Sequence, residues 1–168
     1  MLCIHLEVIV IKNSTVCFSG HRKIPPEERS PLIQRLENEV YRLIQEGYIF
    51  FTAGGALGFD TLAAQVVLKY RRLFPGIKLI LVLPCRSQSK YWTNEDREVY
   101  NEIIRQADNV QYASGEYDRG CMFKRNRQLI DMSSVCVCYL REATGGTAYT
   151  VKYAKASGIS VINVANSQ

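Results

Sequence analysis

Three closely spaced glycines, Gly54, Gly55 and Gly58, are typical of a loop that binds a phosphate group. They follow an apolar run at residues 48–52 and precede an amphipathic helix pattern that starts near Leu62. Glycine lets the backbone approach a ligand closely, and the start of a helix presents unpaired N–H groups. The spacing matches neither GxGxxG nor GxxxxGK[ST], so it does not indicate ordinary NAD or ATP binding. The alternative is a tight turn without a ligand.

A second glycine turn has the same position relative to its strand. Gly145, Gly146 and Thr147 follow the apolar run at residues 135–140. This turn combines backbone N–H groups with a hydroxyl at the start of a helix, where Thr147 is also a candidate N-cap. Two glycine turns after two strands predict one cleft that holds a nucleotide-like molecule.

The loop after the first predicted strand adds polar groups to the same cleft. Gly20 permits a close backbone approach, and Arg22 can donate two hydrogen bonds to a phosphate or carboxylate. His21 is suited to bonding a base or a sugar. A surface arginine and a loop histidine without a ligand are the alternative interpretation.

Asp60, Arg125 and Asn126 complete the predicted site. Asp60 lies in a first helical turn, where it either complements the helix dipole or bonds a ribose hydroxyl. Arg125 and Asn126 are favoured as ligand contacts, whereas Lys124 is expected on a solvated face. The predicted ligand-binding residues are therefore Gly20, His21, Arg22, Gly54, Gly55, Ala56, Gly58, Asp60, Arg125, Asn126, Gly145, Gly146 and Thr147.

The elements that position these residues alternate between strands and helices. Strands are predicted at residues 14–19, 48–52, 77–83, 110–113, 135–140 and 159–164. Helices are predicted from Ser30–Pro31 to Gly47, and at residues 62–73, 93–107, 121–132 and 147–157. Several strands are apolar on both faces, as a parallel sheet covered by helices requires. The pattern predicts a single Rossmann-like three-layer α/β domain with a mainly parallel sheet flanked by helices, and its loops meet at one rim.

Composition narrows the functional classes. The 168 residues suit one domain, and the net charge of +5 fits an anionic ligand without indicating DNA by itself. Six cysteines without a CxxC pair and only two histidines argue against a metal site and predict reduced core cysteines. Without a secretory signal or a membrane span, a cytoplasmic protein is expected. Residues 1–13 are predicted to form an N-terminal extension or an edge strand, and residues 14–168 the core domain.

The motifs together resemble the SLOG superfamily, which groups DprA/Smf with the Lonely Guy phosphoribohydrolases, and in particular its YpsA-like branch. The resemblance runs from about Thr15 to Val164 and rests on residues 16–22, residues 52–60, Met122 with Arg125, and residues 145–147. It implies a Rossmannoid fold and a nucleotide-derived ligand, with ADP-ribose as one example. Self-association is a further expectation. DprA-like single-stranded DNA binding ranks lower, and no membrane partner is expected.

One departure from the Lonely Guy pattern bears on catalysis. Those enzymes carry PGGxGTxxE, whose glutamate acts in N-glycosidic cleavage, whereas the corresponding position here is Thr150. An oxocarbenium-like transition state needs a nearby anion. We therefore expect binding or sensing of a nucleotide-derived ligand, with a nucleotide-processing hydrolase as the alternative. No catalytic residue is assigned, and no cofactor is predicted apart from such a bound nucleotide.

Overall fold

The computed structural model describes residues 11–165, along which strands and helices alternate. The strands are β1 Thr15–Gly20, β2 Phe50–Ala53, β3 Lys78–Leu83, β4 Asn109–Tyr112, β5 Val135–Tyr139 and β6 Ser160–Asn163. The helices are α1 Pro26–Gln45, α2 Phe59–Arg71, α3 Asn94–Gln106, α4 Cys121–Asp131 and α5 Gly146–Ala156. The predicted three-layer α/β architecture is confirmed.

The six strands form one sheet in the order β4-β3-β2-β1-β5-β6, and each neighbouring pair is parallel. Strands β1 to β4 lie side by side in chain order, and β5 lies on the other side of β1. Strand order therefore reverses between β1 and β5. In open α/β sheets, ligands bind beyond the carboxyl ends of the strands at such a reversal.

Alternate residues of the strands serve two separate cores. Val16 and Phe18 of β1 pack with the apolar faces of α1, α2 and α3. Cys17, which lies between them, packs with the apolar faces of α4 and α5. This alternation follows from the period of two along a strand, and it places three helices on one face of the sheet and two on the other.

Two helix predictions need correction. Helix α1 begins at Pro26 rather than near Ser30, so Pro31 lies inside it. Proline suits the first helical position because its missing N–H is not needed there, and Glu27 and Glu28 in the first turn complement the dipole. In α3, Thr93 is the N-cap and accepts the Asp96 N–H at 3.1 Å. The apolar spacing of this helix predicts that Val99 faces inward beside Tyr100 and Ile103, but Val99 is exposed.

The cysteine prediction is confirmed for the part of the chain that the structure describes. Five cysteines are free and buried, namely Cys17, Cys85, Cys121, Cys136 and Cys138. Cys136 pairs in register with Cys17, and Cys138 lies on the same face of β5 because residues two apart on a strand point the same way. The predicted extension or edge strand falls on residues 1–13, of which residues 1–10 lie outside the described part and residues 11–13 are helical.

Candidate functional site

A polar cavity of about 280 Å³ lies beyond the carboxyl ends of β1 and β5, where the strand order reverses. It is walled by the loop after β1, by the starts of α2 and α5, and by one side of α4. We call it the inner cavity. The predicted site residues that line it are Gly20, His21, Arg22, Ala56, Asp60, Arg125, Asn126, Gly146 and Thr147. The two glycine turns therefore share one cavity.

Arg125 and Asp60 form the buried centre of this cavity. The Arg125 residue is 6% exposed and Asp60 is 4% exposed, and their Nη1 and Oδ2 atoms lie 3.4 Å apart. The same Asp60 oxygen accepts the Ala56 N–H at 3.3 Å. Asp60 thus fixes both the arginine and the first glycine turn, a role that the two interpretations of its sequence position did not include.

The Arg125 Nε atom is buried and has no hydrogen-bond partner among residues 11–165. An unsatisfied buried donor of this kind is rare in native proteins. Burial lowers the pKa of Arg125, while the Asp60 charge opposes that shift and the Arg22 charge adds to it. Burial also raises the pKa of Asp60, which the Arg125 charge and the Ala56 N–H oppose. The cavity therefore holds a cation whose hydrogen-bonding capacity is only partly used.

The first glycine turn serves packing more than the cavity surface. A Cβ atom on Gly54 would lie 1.5 Å from the Arg125 Nη1 atom. Gly55 has a φ of +66°, and its Cβ would lie 2.5 Å from a Leu83 methyl group. Gly58 has a φ of +77°, and its Cβ would lie 2.3 Å from the Arg22 carbonyl oxygen. These three glycines and Gly145 do not line the inner cavity, although the sequence predicted them as ligand contacts.

The second glycine turn is open. Cβ atoms added to Gly145 or Gly146 would have no heavy atom within 4 Å. Helix α5 begins at Gly146, and its N-cap is Gly145 with a φ of +92° and no side-chain cap. Thr147 is therefore the second helical residue and not the N-cap, because Gly145 occupies the N-cap position. Gly146 and Thr147 at this helix start line the inner cavity, and the unpaired N–H groups of a helix start are suited to an anion.

Thr150 occupies the position of the Lonely Guy glutamate. It is buried, and its hydroxyl donates a hydrogen bond of 2.8 Å to the Gly146 carbonyl oxygen of its own helix. A threonine hydroxyl held in this way supplies no carboxylate to the cavity.

His21 holds the loop that leads to the second glycine turn. Its Nε2 atom accepts the Arg141 N–H at 3.0 Å and the Glu142 N–H at 3.4 Å. Its ring packs edge-to-face against Tyr139. On the other side of the loop, Asn163 bonds both backbone groups of Leu140, at 3.1 Å and 2.9 Å. His21 therefore uses this ring nitrogen within the protein and not toward a base or sugar.

Arg22 lies exposed at the edge of the inner cavity. Its Nη2 atom is 3.9 Å from the Met122 sulfur, a weak contact. It forms no ion pair with a carboxylate among residues 11–165. Ser19 and Met122 also line the cavity, although the site prediction omitted them. Ser19 is adjacent to the Gly20 motif, and Met122 is three residues before Arg125, so helical spacing would have found it.

The loop after β3, which begins at Pro84, lies on the same rim as the other loops but outside the inner cavity. Its Gln88 amide donates to the Gly54 carbonyl oxygen at 3.3 Å and so supports the first glycine turn. Trp92 packs against Tyr100 with ring centroids 5.1 Å apart and so covers the edge of the core. Tyr91 is 89% exposed.

Over the described part of the chain, no group of histidine, cysteine or acidic side chains could hold a metal ion. Within residues 11–165, the structure contains no helix of sufficient length and apolarity to span a membrane.

Comparison with known proteins identifies relatives. The profile of the YspA SLOG family matches residues 26–161. The chain is 30% identical over 122 residues to the UPF0398 protein BH1768 of Halalkalibacterium halodurans. This match covers 71% of this chain and 65% of that protein. It is also 30% identical over 145 residues to the SPbeta prophage-derived protein YoqJ of Bacillus subtilis, covering 76% and 84%.

The fold also resembles a solved structure, that of DNA processing protein A from Helicobacter pylori. The TM-score is 0.64 at 19% identity, over 92% of this chain and 66% of that protein. At this identity the likeness establishes the fold alone. The chain spans just under two thirds of that protein and of BH1768.

Proposed function

Because the chain belongs to the YspA SLOG family, as its motifs predicted, we propose that it binds a nucleotide-derived ligand in the inner cavity. One phosphate of this ligand lies between Arg125 and the start of α5. ADP-ribose and other nucleoside phosphates are the class to be tested. The observation that carries the proposal is the buried Arg125 Nε atom, which has no partner among the described residues.

The charges of the cavity favour an anion. Asp60 offsets one positive charge, while Arg125 and Arg22 both lie against the cavity. A buried charge with incomplete hydrogen bonding is unfavourable, and a charge-assisted bond to a phosphate oxygen relieves it. The open N–H groups at Gly146 supply further donors, and their position at the start of α5 adds the positive end of the helix dipole.

The hydrolase alternative lacks a free carboxylate at the expected position. Thr150 replaces the glutamate, and the Asp60 carboxylate already accepts bonds from Arg125 and from the Ala56 N–H. Binding or sensing therefore ranks above N-glycosidic cleavage. Release of free base from a nucleotide by the wild-type protein, and its loss in Arg125→Met, would reverse this order.

The test of binding is isothermal titration calorimetry with ADP-ribose, NAD, AMP and cyclic nucleotides. Gly146→Asp is the first variant, because its side chain enters open space and an acidic residue suits the first helical turn. We expect it to fold and to weaken binding at least about tenfold by repelling the phosphate. Gly115→Asp, also in open space, is the matched control and should bind like the wild type.

A second pair of variants tests the arginine directly. Arg125→Met removes the buried cation, whereas Lys124→Met removes an exposed cation from the neighbouring position of the same helix. We expect only Arg125→Met to abolish binding, with folding of both checked by circular dichroism. Absence of heat with every nucleotide at millimolar concentration would refute the proposal, as would equal binding by Gly146→Asp and Gly115→Asp.

Single-stranded DNA is the second candidate ligand. The Helicobacter pylori protein of similar fold is described for its single-stranded DNA binding mode. On this chain, Tyr91 is exposed with Lys90 over its ring at 5.3 Å, and Arg86 lies 4.7 Å over Tyr112. Exposed aromatic rings beside cations are suited to stacking bases. A salt-sensitive gel shift that Tyr91→Ala weakens would support this function, and unchanged mobility at low salt would exclude it.

A further inference from the structure

We infer that the ligand carries a second phosphate, which binds in a separate cavity on the far side of the loop after β1. This inference rests on the proposed function, because the first phosphate occupies the inner cavity. The second cavity has a volume of about 440 Å³ and lies between that loop, the start of α2 and the first half of α3. We call it the basic cavity, after the three cations that line it: Arg22, Lys23 and Arg29.

These three cations are available to an external anion. All are exposed, and none of them lies within ion-pair distance of a carboxylate in residues 11–165. Some other cations are neutralised within the protein, as Lys69 is by Glu37 at 2.7 Å. Asp96 is the only acidic residue among those described that line the basic cavity. The cavity therefore has a net positive charge.

The rest of the lining suits the body of a nucleotide. Leu57 and Val99 supply apolar surface, while Thr61 and Gln65 supply a hydroxyl and an amide. A volume of this size falls within the usual range for small-molecule sites, about 300–1,000 Å³, whereas the inner cavity lies just below that range. A nucleotide that places one phosphate in the inner cavity needs additional space for its remaining atoms.

Arg22 connects the two cavities, since it lines both. Among residues 11–165, a weak sulfur contact to Met122 is the one bond of its guanidinium group, so the side chain can turn to either phosphate. Lys23 and Arg29 line the basic cavity but not the inner one. The two phosphates of one ligand would thus share Arg22 and differ in their other partners.

A third cavity near His21 is a weaker candidate for the second phosphate. It is larger, at about 680 Å³, and is lined by Arg22 and Lys23 as well as by Arg141 and Glu142. The Arg141 side chain is already paired with Glu28 at 2.9 Å, and Glu142 adds another carboxylate. With Arg141 paired, the third cavity has two available cations against Glu142, whereas the basic cavity has three against Asp96. Charge balance therefore favours the basic cavity.

The basic cavity and the inner cavity together would recognise a nucleoside unit that carries two phosphates. Such a unit occurs in a free nucleoside bisphosphate and in a stretch of single-stranded nucleic acid. The experiment compares AMP, adenosine bisphosphate, the dinucleotide pApA and a longer oligoadenylate by calorimetry on the full chain. The variants are Lys23→Gln/Arg29→Gln and, as a control of equal charge change, Arg119→Gln/Lys124→Gln, whose cations are exposed and line neither cavity.

We expect adenosine bisphosphate to bind at least about tenfold more tightly than AMP, with a gain that falls as salt increases. Lys23→Gln/Arg29→Gln should remove this gain and leave AMP affinity within about twofold, whereas the control keeps the gain. A gain seen only with the oligoadenylate would support the same two-phosphate chemistry and assign it to a nucleic acid strand.

Equal affinity for AMP and for every ligand with two phosphates would overturn the inference. So would a variant that weakens AMP and bisphosphate equally. The proposed function would survive both results, provided that AMP binding depends on Arg125. If AMP, ADP-ribose and NAD all fail to bind, the proposed function itself fails.

Discussion

Gly54→Ala tests whether the first glycine turn exists to make room for the buried arginine. Gly54 does not have a positive φ, so alanine suits its backbone. The new Cβ would lie 1.5 Å from Nη1, 2.4 Å from Cζ and 2.9 Å from Nε of Arg125. No small adjustment relieves this overlap. The guanidinium group must leave Asp60, and the buried carboxylate loses its counter-ion.

Breaking a buried ion pair by removing one partner costs about 3–5 kcal/mol. Two effects reduce this figure here. The displaced arginine has space in the inner cavity, and replacing glycine by alanine stabilises through the unfolded chain by about 0.4–1 kcal/mol. We therefore expect Gly54→Ala to lower the free energy of unfolding by about 2–4 kcal/mol. It should also abolish nucleotide binding.

The assay is urea unfolding, followed by the fluorescence of Trp92, the single tryptophan, and by circular dichroism. Gly76→Ala is the control, because its Cβ enters open space and its stability should change by less than about 0.5 kcal/mol. The decisive measurement repeats Gly54→Ala in an Asp60→Asn/Arg125→Leu background, where neither the clash nor the ion pair remains. There we expect an effect below about 0.5 kcal/mol. A loss that persists in this background would refute the reasoning.

Two further predictions concern regions away from the cavity. Burial acts to raise the pKa of Asp108, but the Leu79 N–H and the cations Arg71 and Lys78 outweigh it, so the folded-state pKa lies below its ordinary value. Asp108→Asn should therefore cost about 1–2 kcal/mol at neutral pH in urea unfolding. The difference in free energy of unfolding between this variant and the wild type should disappear as pH falls below about 4, because protonation of Asp108 removes the stabilisation that its depressed pKa represents. A difference that stays unchanged at low pH would contradict this. Burial raises the pKa of Cys138 to about 12, and all five described cysteines are buried. We expect Ellman's reagent to detect them only after unfolding, so rapid reaction of more than one thiol in native buffer would disprove their protection.

The fold was predictable because its signals are local. Apolar runs bounded by glycine and proline identified the strands, and their apolar character on both faces indicated a parallel sheet. The carboxyl ends of parallel strands lie at one edge, so the loops at Gly20, Gly54 and Gly145 had to share a rim. The strand order was not predictable in this way, because the return from β4 to β5 depends on packing between distant segments.

The individual roles of the site residues were less predictable, because they depend on long-range contacts. Gly54 is small because Arg125, on a helix far along the chain, packs against it. The sequence of residues 52–60 contains no signal that predicts this contact. Asp60 serves Arg125 and Ala56, whereas its position suggested a dipole or a ribose. The second turn differs, because Cβ atoms on Gly145 and Gly146 would meet no neighbour among the described residues, and Gly146 lines the inner cavity whereas Gly145 does not.

The sheet separates two layers of helices, and the contact between Asp60 and Arg125 joins them. Asp60 belongs to α2 on one face, and Arg125 to α4 on the other. Their bond passes over the carboxyl end of the sheet, and neither residue belongs to an apolar core. Separation of the layers at this end would open the cavity and leave two opposite charges without partners. An anion bonded to both Arg125 and Arg22 would add a second link between the layers, because the loop that carries Arg22 leads into α1 on the face opposite α4. Exchange of the backbone amide hydrogens in both layers should therefore slow together when the cavity is filled.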